Sequence, residues 1–211
     1  MKFFIGLFLF IICTFYQLSA DWKVACKDGS DVTLSVCKGN LDNERKIFNK
    51  AFTHAYQGTE IEQMILKKYD SLARFLTAAF EDEQNDFDSC KPETLFISAK
   101  NQRGDVIGFA AFDKNTDYVY VRQLAIDPDF QMLGLGKLLT FSFLNMWKDC
   151  GWVKLLTRRL NYIAVGFYTR LGFTESAFTH GSYDPAVYIG MDCHMDSGIT
   201  ESLLKKYTLI S

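Results

Sequence analysis

The residues of this chain best suited to chemistry stand in two clusters, one from Gln131 to Lys137 and one from Asn161 to Phe173. The first, QMLGLGK, follows an apolar, β-branched segment, YVYVRQLAI (118–126), that stops at Asp127-Pro128. Proline cannot donate to a strand ladder, and it biases the residue before it. The loop leads into LLTFSFLNMWKDCG (138–151), where Leu135, Leu138, Leu139, Phe143, Met146 and Trp147 recur near helical spacing and Gly151 is the stop. A glycine loop that opens a helix leaves several backbone N–H groups unpaired and aimed one way, which is the chemistry of phosphate binding. A nucleotide P-loop needs GxxxxGK followed by Ser or Thr, yet Leu138 follows Gly136-Lys137 and the upstream glycine is missing. A dinucleotide fingerprint needs a third glycine where Leu139 stands.

Gln131-x-x-Gly134-x-Gly136, placed after a strand and opening a helix, resembles the acyl-CoA loop of the GNAT-type N-acetyltransferase superfamily. The second cluster strengthens the likeness. After a strand-like WVKLLT (152–157), the run RRLNYIAVGFYTRLGF (158–173) carries Asn161, Ala164, Tyr168, Gly172 and Phe173 in the N-x-x-A-x-x-x-Y-x-x-x-G-F pattern of the same superfamily. The resemblance is motif-specific over 118–173 and extends as a fold over 31–195. It implies an N-acetyltransferase that uses acetyl-CoA as co-substrate and no metal. The acetyl or a similar acyl group would pass by direct attack, in a ternary complex, to a primary amine on a small molecule or a protein.

The same resemblance assigns roles. In the superfamily, the strands matching 118–126 and 152–157 splay apart at one end, and the first pairs its backbone with the pantetheine arm much as another strand would. Leu124, Ala125 and Ile126 would supply that edge, and the Leu124 amide would also hold the oxyanion formed on the thioester. The amides of Gln131, Met132, Leu133, Gly134, Leu135, Gly136 and Lys137 would cradle the pyrophosphate. Relatives often carry a basic residue within this loop; here Lys137 is the nearest cation. Tyr168 would protonate the departing thiolate, since a phenol near pKa ~10 stays protonated where a thiol near ~8.5 leaves. Asn161 would contact pantetheine while also capping its helix. Several relatives use a strand glutamate as base, and 118–126 has none. Glu81, Asp82, a water relay or the acceptor's own ionisation remain as proton acceptors, and His54, His180 and His194 read as structural or surface residues.

Around these clusters the pattern predicts an α/β fold with a mixed, mostly antiparallel twisted sheet flanked by helices, in GNAT-like order. Residues 22–26 and 31–37 read as an opening hairpin or a single strand. A first helix spans 43–56, with Ile47, Phe48, Ala51 and Ala55 as its stripe and Gly58 as its breaker. Thr59, with Glu62 three residues on, forms a capping box for a second helix whose apolar stripe runs from Ile61 to Phe80. The acidic 81–88 is a solvated exit loop, or else a lip that attracts a cationic acceptor. Strands 94–100 and 106–112 form a hairpin about 101–105 and continue into 118–126, and 118–157 requires a parallel crossover. Residues 174–180 and 186–194 close the sheet, and the tail 196–211 carries a possible short helix around Leu203.

Residues 1–20 form a separate unit: Lys2, an apolar run at 3–16 and a small-residue exit at Ser19-Ala20 read as a cleaved secretory signal peptide, with an uncleaved anchor as the alternative. The run is short for a span, which needs about 20 apolar residues, so the domain at 21–195 is expected to be exported, periplasmic or secreted, with no stable membrane span. The net charge of −2, with its basic residues spread along the chain, argues against a nucleic-acid surface. Export permits disulfides. Five cysteines follow the leader, with Cys26 and Cys37 nearest in sequence, Cys150 reading as a buried thiol, and no CxxC spacing for zinc. Because acyl-CoA is a cytoplasmic metabolite, export leaves two alternatives open: a non-catalytic binding module on this fold, or an enzyme acting in another cell's cytoplasm.

Overall fold

The computed structural model describes residues 21–37, 39–89, 93–147, 150–181, 183–196, 201–202 and 208–210. Residues 1–20, where a signal peptide is expected, and Cys90 lie outside the described residues. Strands β1 (Asp21–Ala25), β2 (Asp31–Val36), β3 (Thr94–Lys100), β4 (Val106–Lys114), β5 (Tyr118–Ile126), β6 (Trp152–Arg158), β7 (Thr174–Ser176), β8 (Tyr188–His194) and β9 (Thr208–Ile210) make one sheet, ordered β7-β8-β6-β5-β4-β3-β2-β1-β9. Every neighbouring pair is antiparallel except β5 with β6. Of the hairpin or single strand expected at the start, the hairpin is present, as are the meander and the crossover. Thr208–Ile210 pairs β1, and Leu203, around which a short helix is expected, lies outside the described residues.

Helices α1 (Asp42–Tyr56), α2 (Glu60–Leu66) and α3 (Leu72–Asp88) cover one face of the sheet, and α4 (Leu135–Thr140) packs on β4 and β5 beside α5 (Tyr162–Arg170). Each face has its own core. Phe48, Ile61, Leu76 and Phe80 pack with Phe96 and Phe109 on one side, while Phe112, Val119, Leu139, Phe143 and Phe173 pack on the other. Strand β4 is buried on both faces, so Ile107 to Phe112 reads as a continuous apolar run rather than an alternation.

Two helix boundaries and one cap differ from the sequence expectation, each through a side chain bonding to backbone. The single helix predicted over 59–80 is split at 67–71, because Ser71 takes an extended conformation and its hydroxyl accepts from Arg74 N at 3.1 Å, capping α3 afresh. The capping box at Thr59 does not close: its hydroxyl donates to Tyr56 O, and Glu62 accepts instead from Gly58 N at 2.7 Å. The helix predicted over 138–151 ends at Thr140, whose hydroxyl donates to Gly136 O, while Ser142 donates to Leu139 O and a 3-10 turn follows.

Residues 81–88 are not a loop but the C-terminal half of α3. Leu72, Leu76, Phe80 and Glu83 follow one another at helical steps on one stripe, so Glu83 turns inward and is buried. Cys26 and Cys37 stand at opposite ends of the β1–β2 hairpin, since Asp31 pairs Ala25 and Ser35 pairs Asp21. The strand length, about 3.4 Å per residue, keeps them too far apart for a disulfide. Cys26, Cys37, Cys150 and Cys193 are free thiols.

Candidate active site

Strand β5 pairs β6 only from Tyr118–Trp152 to Val121–Leu155. Beyond that point β6 turns to β8 alone, through Leu156, Thr157 and Arg158. A bulge marks the parting: Ala111 pairs Gln123 and Phe112 pairs Val121, so Arg122 is the extra residue on β5. Bulges bend a strand and re-aim its side chains, and they recur beside active sites. On its other side β5 stays in register with β4, Leu124 facing Ala110, Ala125 facing Phe109 and Ile126 facing Gly108.

That register decides which backbone groups are free. Asp127 N donates to Ile107 O at 2.9 Å, so in antiparallel alternation Ala125 also bonds β4 while Leu124 and Ile126 point the other way. Leu124 and Ile126 therefore present N–H and C=O to the gap left by β6. Ala125 does not; its main chain belongs to the β4 ladder, which corrects the expectation that all three line the open edge.

The open edge leads to the glycine loop. Asp127 caps a short 3-10 turn by accepting from Asp129 N at 3.0 Å, and Lys50 of α1 bridges Asp127 and Asp129 at 2.6 and 2.7 Å. Gln131 is exposed and its N–H goes back to Pro128 O, which takes its amide out of the predicted cradle. Met132 (φ 65°) and Gly134 (φ 84°) are both left-handed, and Met132 is 89% exposed. A non-glycine residue held in that region is a feature of ligand-binding loops. In α4 the Leu138 amide bonds Gly134 O at 3.3 Å, and the amides of Leu135, Gly136 and Lys137 before it have no partner in the helix. Leu135 is buried and Lys137 exposed.

Gly136 lacks a Cβ for a packing reason: one built there would meet the Phe167 ring at 3.0 Å and Ile126 Cδ1 at 3.2 Å. Lys27 is a cation that sequence order concealed. Its N–H donates to Leu133 O at 2.9 Å, and its methylenes lie 3.3–3.6 Å from where a Gly134 Cβ would be. It comes from the β1–β2 turn, over a hundred positions away in the chain, and exposes its ammonium beside the loop.

Asn161 caps α5, its Oδ1 accepting from Ala164 N at 3.2 Å, which leaves its amide N–H groups to donate elsewhere. Tyr168 is buried between Phe167 and Phe173, with ring centroids at 5.0 and 5.4 Å. Burial, and then the Tyr56 hydroxyl, push its pKa up, so it holds its proton well above neutrality.

On the helix-covered face beyond the parting stands a second group. Arg122 binds Glu83 at 3.1 Å, Asp86 at 2.5 Å and Asp113 at 3.1 Å, and Gln123 donates to Glu83 at 3.2 Å. Burial raises the Glu83 pKa and outweighs the opposing pull of Arg122 and Gln123. Glu81 and Asp82, the predicted alternatives, are exposed. The seven-residue step from Leu76 was the signal that could have singled out Glu83. Tyr118, Tyr120, Phe178 and His180 pack together nearby, with His180 stacked on Tyr120 at 4.4 Å. A cavity of about 160 Å³ lined in part by Leu156, Phe178, Tyr183 and Tyr188 adjoins them. His54 and His194 are exposed. Among the described residues no group of His, Cys, Asp and Glu could hold a metal ion.

A family profile described as "Acetyltransferase (GNAT) family" matches residues 55–173, more than half of the 211-residue chain. The [Ribosomal protein bS18]-alanine N-acetyltransferase of Escherichia coli (strain K12) is 28% identical over 109 residues, 50% of this chain and 72% of that protein. The UPF0157 protein YqkA of Bacillus subtilis is 28% identical over 75 residues, 36% of this chain but only 22% of its own length. Among solved structures, the PaiA N-acetyltransferase of Thermoplasma acidophilum, in complex with coenzyme A, superposes with a TM-score of 0.52 at 19% identity, covering 77% of this chain and 99% of its own. That likeness is one of fold.

Proposed function

The chain belongs to the acetyltransferase (GNAT) family, and from that membership together with the open edge of β5 we propose that it transfers an acetyl group from acetyl-CoA to a primary amine. The observation that carries the reading is the parting of β5 from β6 after Val121 and Leu155, with the freed edge running straight into the Gly134 loop. Acetyl-CoA supplies the activated thioester. Leu124 and Ile126 pair their main chain with the pantetheine amides, and Asn161 donates to a pantetheine carbonyl. The amides from Met132 to Lys137, flanked by Lys27, receive the pyrophosphate.

The amine attacks the thioester carbonyl directly. Its C–N bond forms first, the resulting tetrahedral oxyanion is held by the Leu124 N–H, and the C–S bond breaks as that oxyanion collapses and the thiolate leaves. Glu83, directly or through one water, takes the proton the attacking nitrogen must lose. A carboxylate whose pKa is raised by burial is a better base than an exposed one. Tyr168 gives its proton to the thiolate and regains one from solvent. The test is calorimetry with CoA, followed by a thiol-release assay with acetyl-CoA and a panel of amines. Binding followed by acceptor-dependent thiol release is expected; no CoA binding by the folded protein would sink the reading.

A further inference from the structure

Arg158, the last residue of β6, carries a guanidinium in an aromatic cage on the helix-covered face, just beyond the point where β6 leaves β5. Its Cζ lies 5.8 Å from the Tyr56 ring of α1, 5.3 Å from the Phe75 ring of α3 and 5.0 Å from the Tyr188 ring of β8. Three elements thus converge on one cation. Its sequence neighbour Arg159 bonds Glu175 at 3.3 Å, and Arg122 binds three carboxylates. Arg158 forms no salt bridge among the described residues.

Rings around a guanidinium cover its faces and leave its five N–H donors projecting from the edge; the Tyr56 hydroxyl accepts from that edge and does not use all of it. Arg158 acts on the hydroxyls of Tyr56 and Tyr188, and burial pushes Tyr56 up to about 12. A half-buried guanidinium with edge donors to spare matches the two oxygens of a carboxylate. Its place matters as much as its chemistry. The Arg158 carbonyl accepts from Asn161 N at 2.9 Å, so the guanidinium is carried on the strand end that leads into the residue assigned to pantetheine, just past the point where β6 leaves β5.

We infer that Arg158 is a specificity residue that receives a carboxylate of the acceptor, so that the preferred acceptor is an amine carrying a carboxylate a few bonds away. This rests on the acetyltransferase reading. Glu83 and its acidic neighbours would face the amine end while Arg158 holds the other, which also orients the nitrogen toward the thioester.

The test compares acetyl transfer to free amino acids, including 4-aminobutyrate and lysine, with transfer to their carboxamides. The carboxylates should be preferred in kcat/KM by about tenfold to a hundredfold, the scale of one charged hydrogen-bonded contact. Arg158→Gln should erase that preference mainly through KM, and Arg158→Lys, which keeps the charge, should retain part of it. A purely structural cation–π role would lower both acceptor classes equally. Equal or better turnover of the carboxamides by the parent protein would overturn the proposal. If no acceptor in the panel turns over, propionate is titrated into the CoA-saturated protein and followed on the ring resonances of Tyr56, Phe75 and Tyr188, which both proteins retain. A saturable shift absent from Arg158→Gln sustains the carboxylate site, and no shift overturns it. The same titration without CoA keeps this question apart from the acyl-CoA reading, which fails if CoA itself does not bind.

Discussion

Tyr168 is enclosed by aromatic rings, and its hydroxyl matters to transfer only as charge develops on sulfur. Tyr168→Phe should therefore leave CoA affinity nearly unchanged while turnover falls by roughly 10²–10⁴, with the loss shrinking for acyl donors whose thiol is more acidic. Wild-type turnover in this variant would remove the acid assignment. Glu83 has the complementary role and its own signature in pH. Its folded-state pKa is raised by burial, so kcat/KM should rise with pH along a limb displaced above the ordinary glutamate value of ~4.3. Glu83→Gln should slow transfer and abolish that limb; persistence of the limb in the variant would point to another base. The linkage has a definite sign. A group with a raised folded-state pKa contributes its stability below the unfolded value and loses it as pH rises through the folded one. Thermal melts should thus shift in favour of Glu83→Gln relative to the parent as pH rises through that window, with Arg122 kept paired by Asp86 and Asp113.

At the scale of elements, the β1–β2 turn completes the phosphate loop. Lys27 bonds Leu133 through its backbone and lies along Gly134, so it brings to the pyrophosphate a cation that Gln131, Met132 and Leu133 do not. Lys27→Ala should weaken CoA binding several-fold, the scale of one screened charge contact. It should leave binding of phosphate-free pantetheine unchanged; calorimetry with both ligands checks it, and equal losses for the two would mean that the turn acts through loop shape instead. Gly136→Val is a poor probe of phosphate binding, because its side chain would run into Phe167 and Ile126 and loosen α5. The meander, the crossover, the two motifs and the cap at Asn161 were legible in the sequence, because each depends on local periodicity or on residues close in the chain, whereas the pairing of Thr208–Ile210 with β1 was not. What was not legible came from main-chain phase and long-range convergence. Ala125 falls off the open edge by the alternation of a ladder with β4, Lys27 arrives from another turn, and Glu83 arrives from a helix whose acidic composition resembles a loop. The helix breaks at Ser71 and Thr140 arise from hydroxyls that offered the backbone an alternative partner, a competition that apolar spacing does not register.

At the scale of the whole molecule, the cleavage point expected from the sequence falls where the sheet begins. Asp21, the first residue after the predicted cleavage point, is already in β1, where it pairs Ser35 on one side and Ile210 on the other. Trp22 and Val24 follow it into the core, 5% and 1% exposed. Cleavage after Ala20 would therefore leave β1 whole, whereas cleavage two residues later would remove a buried tryptophan and part of two ladders. The four described cysteines are free, three of them buried, and burial raises the pKa of all four, Cys37 to about 12, which disfavours the reactive thiolate. The described domain thus takes its stability from its two cores rather than from a cross-link among these thiols. We predict that the exported protein begins at Asp21, is recovered without detergent, and shows the same melting temperature with and without a reductant. N-terminal mass spectrometry of fractionated cells and paired melts check the two halves independently. Intact Met1 in a membrane fraction would replace the cleaved leader with an anchor. A large loss of stability on reduction would mean that a cysteine outside the described residues is cross-linked. If the processed protein binds CoA yet turns over no amine, the non-catalytic reading of an exported domain becomes the better one, and Glu83 and Tyr168 become residues of a binding site alone.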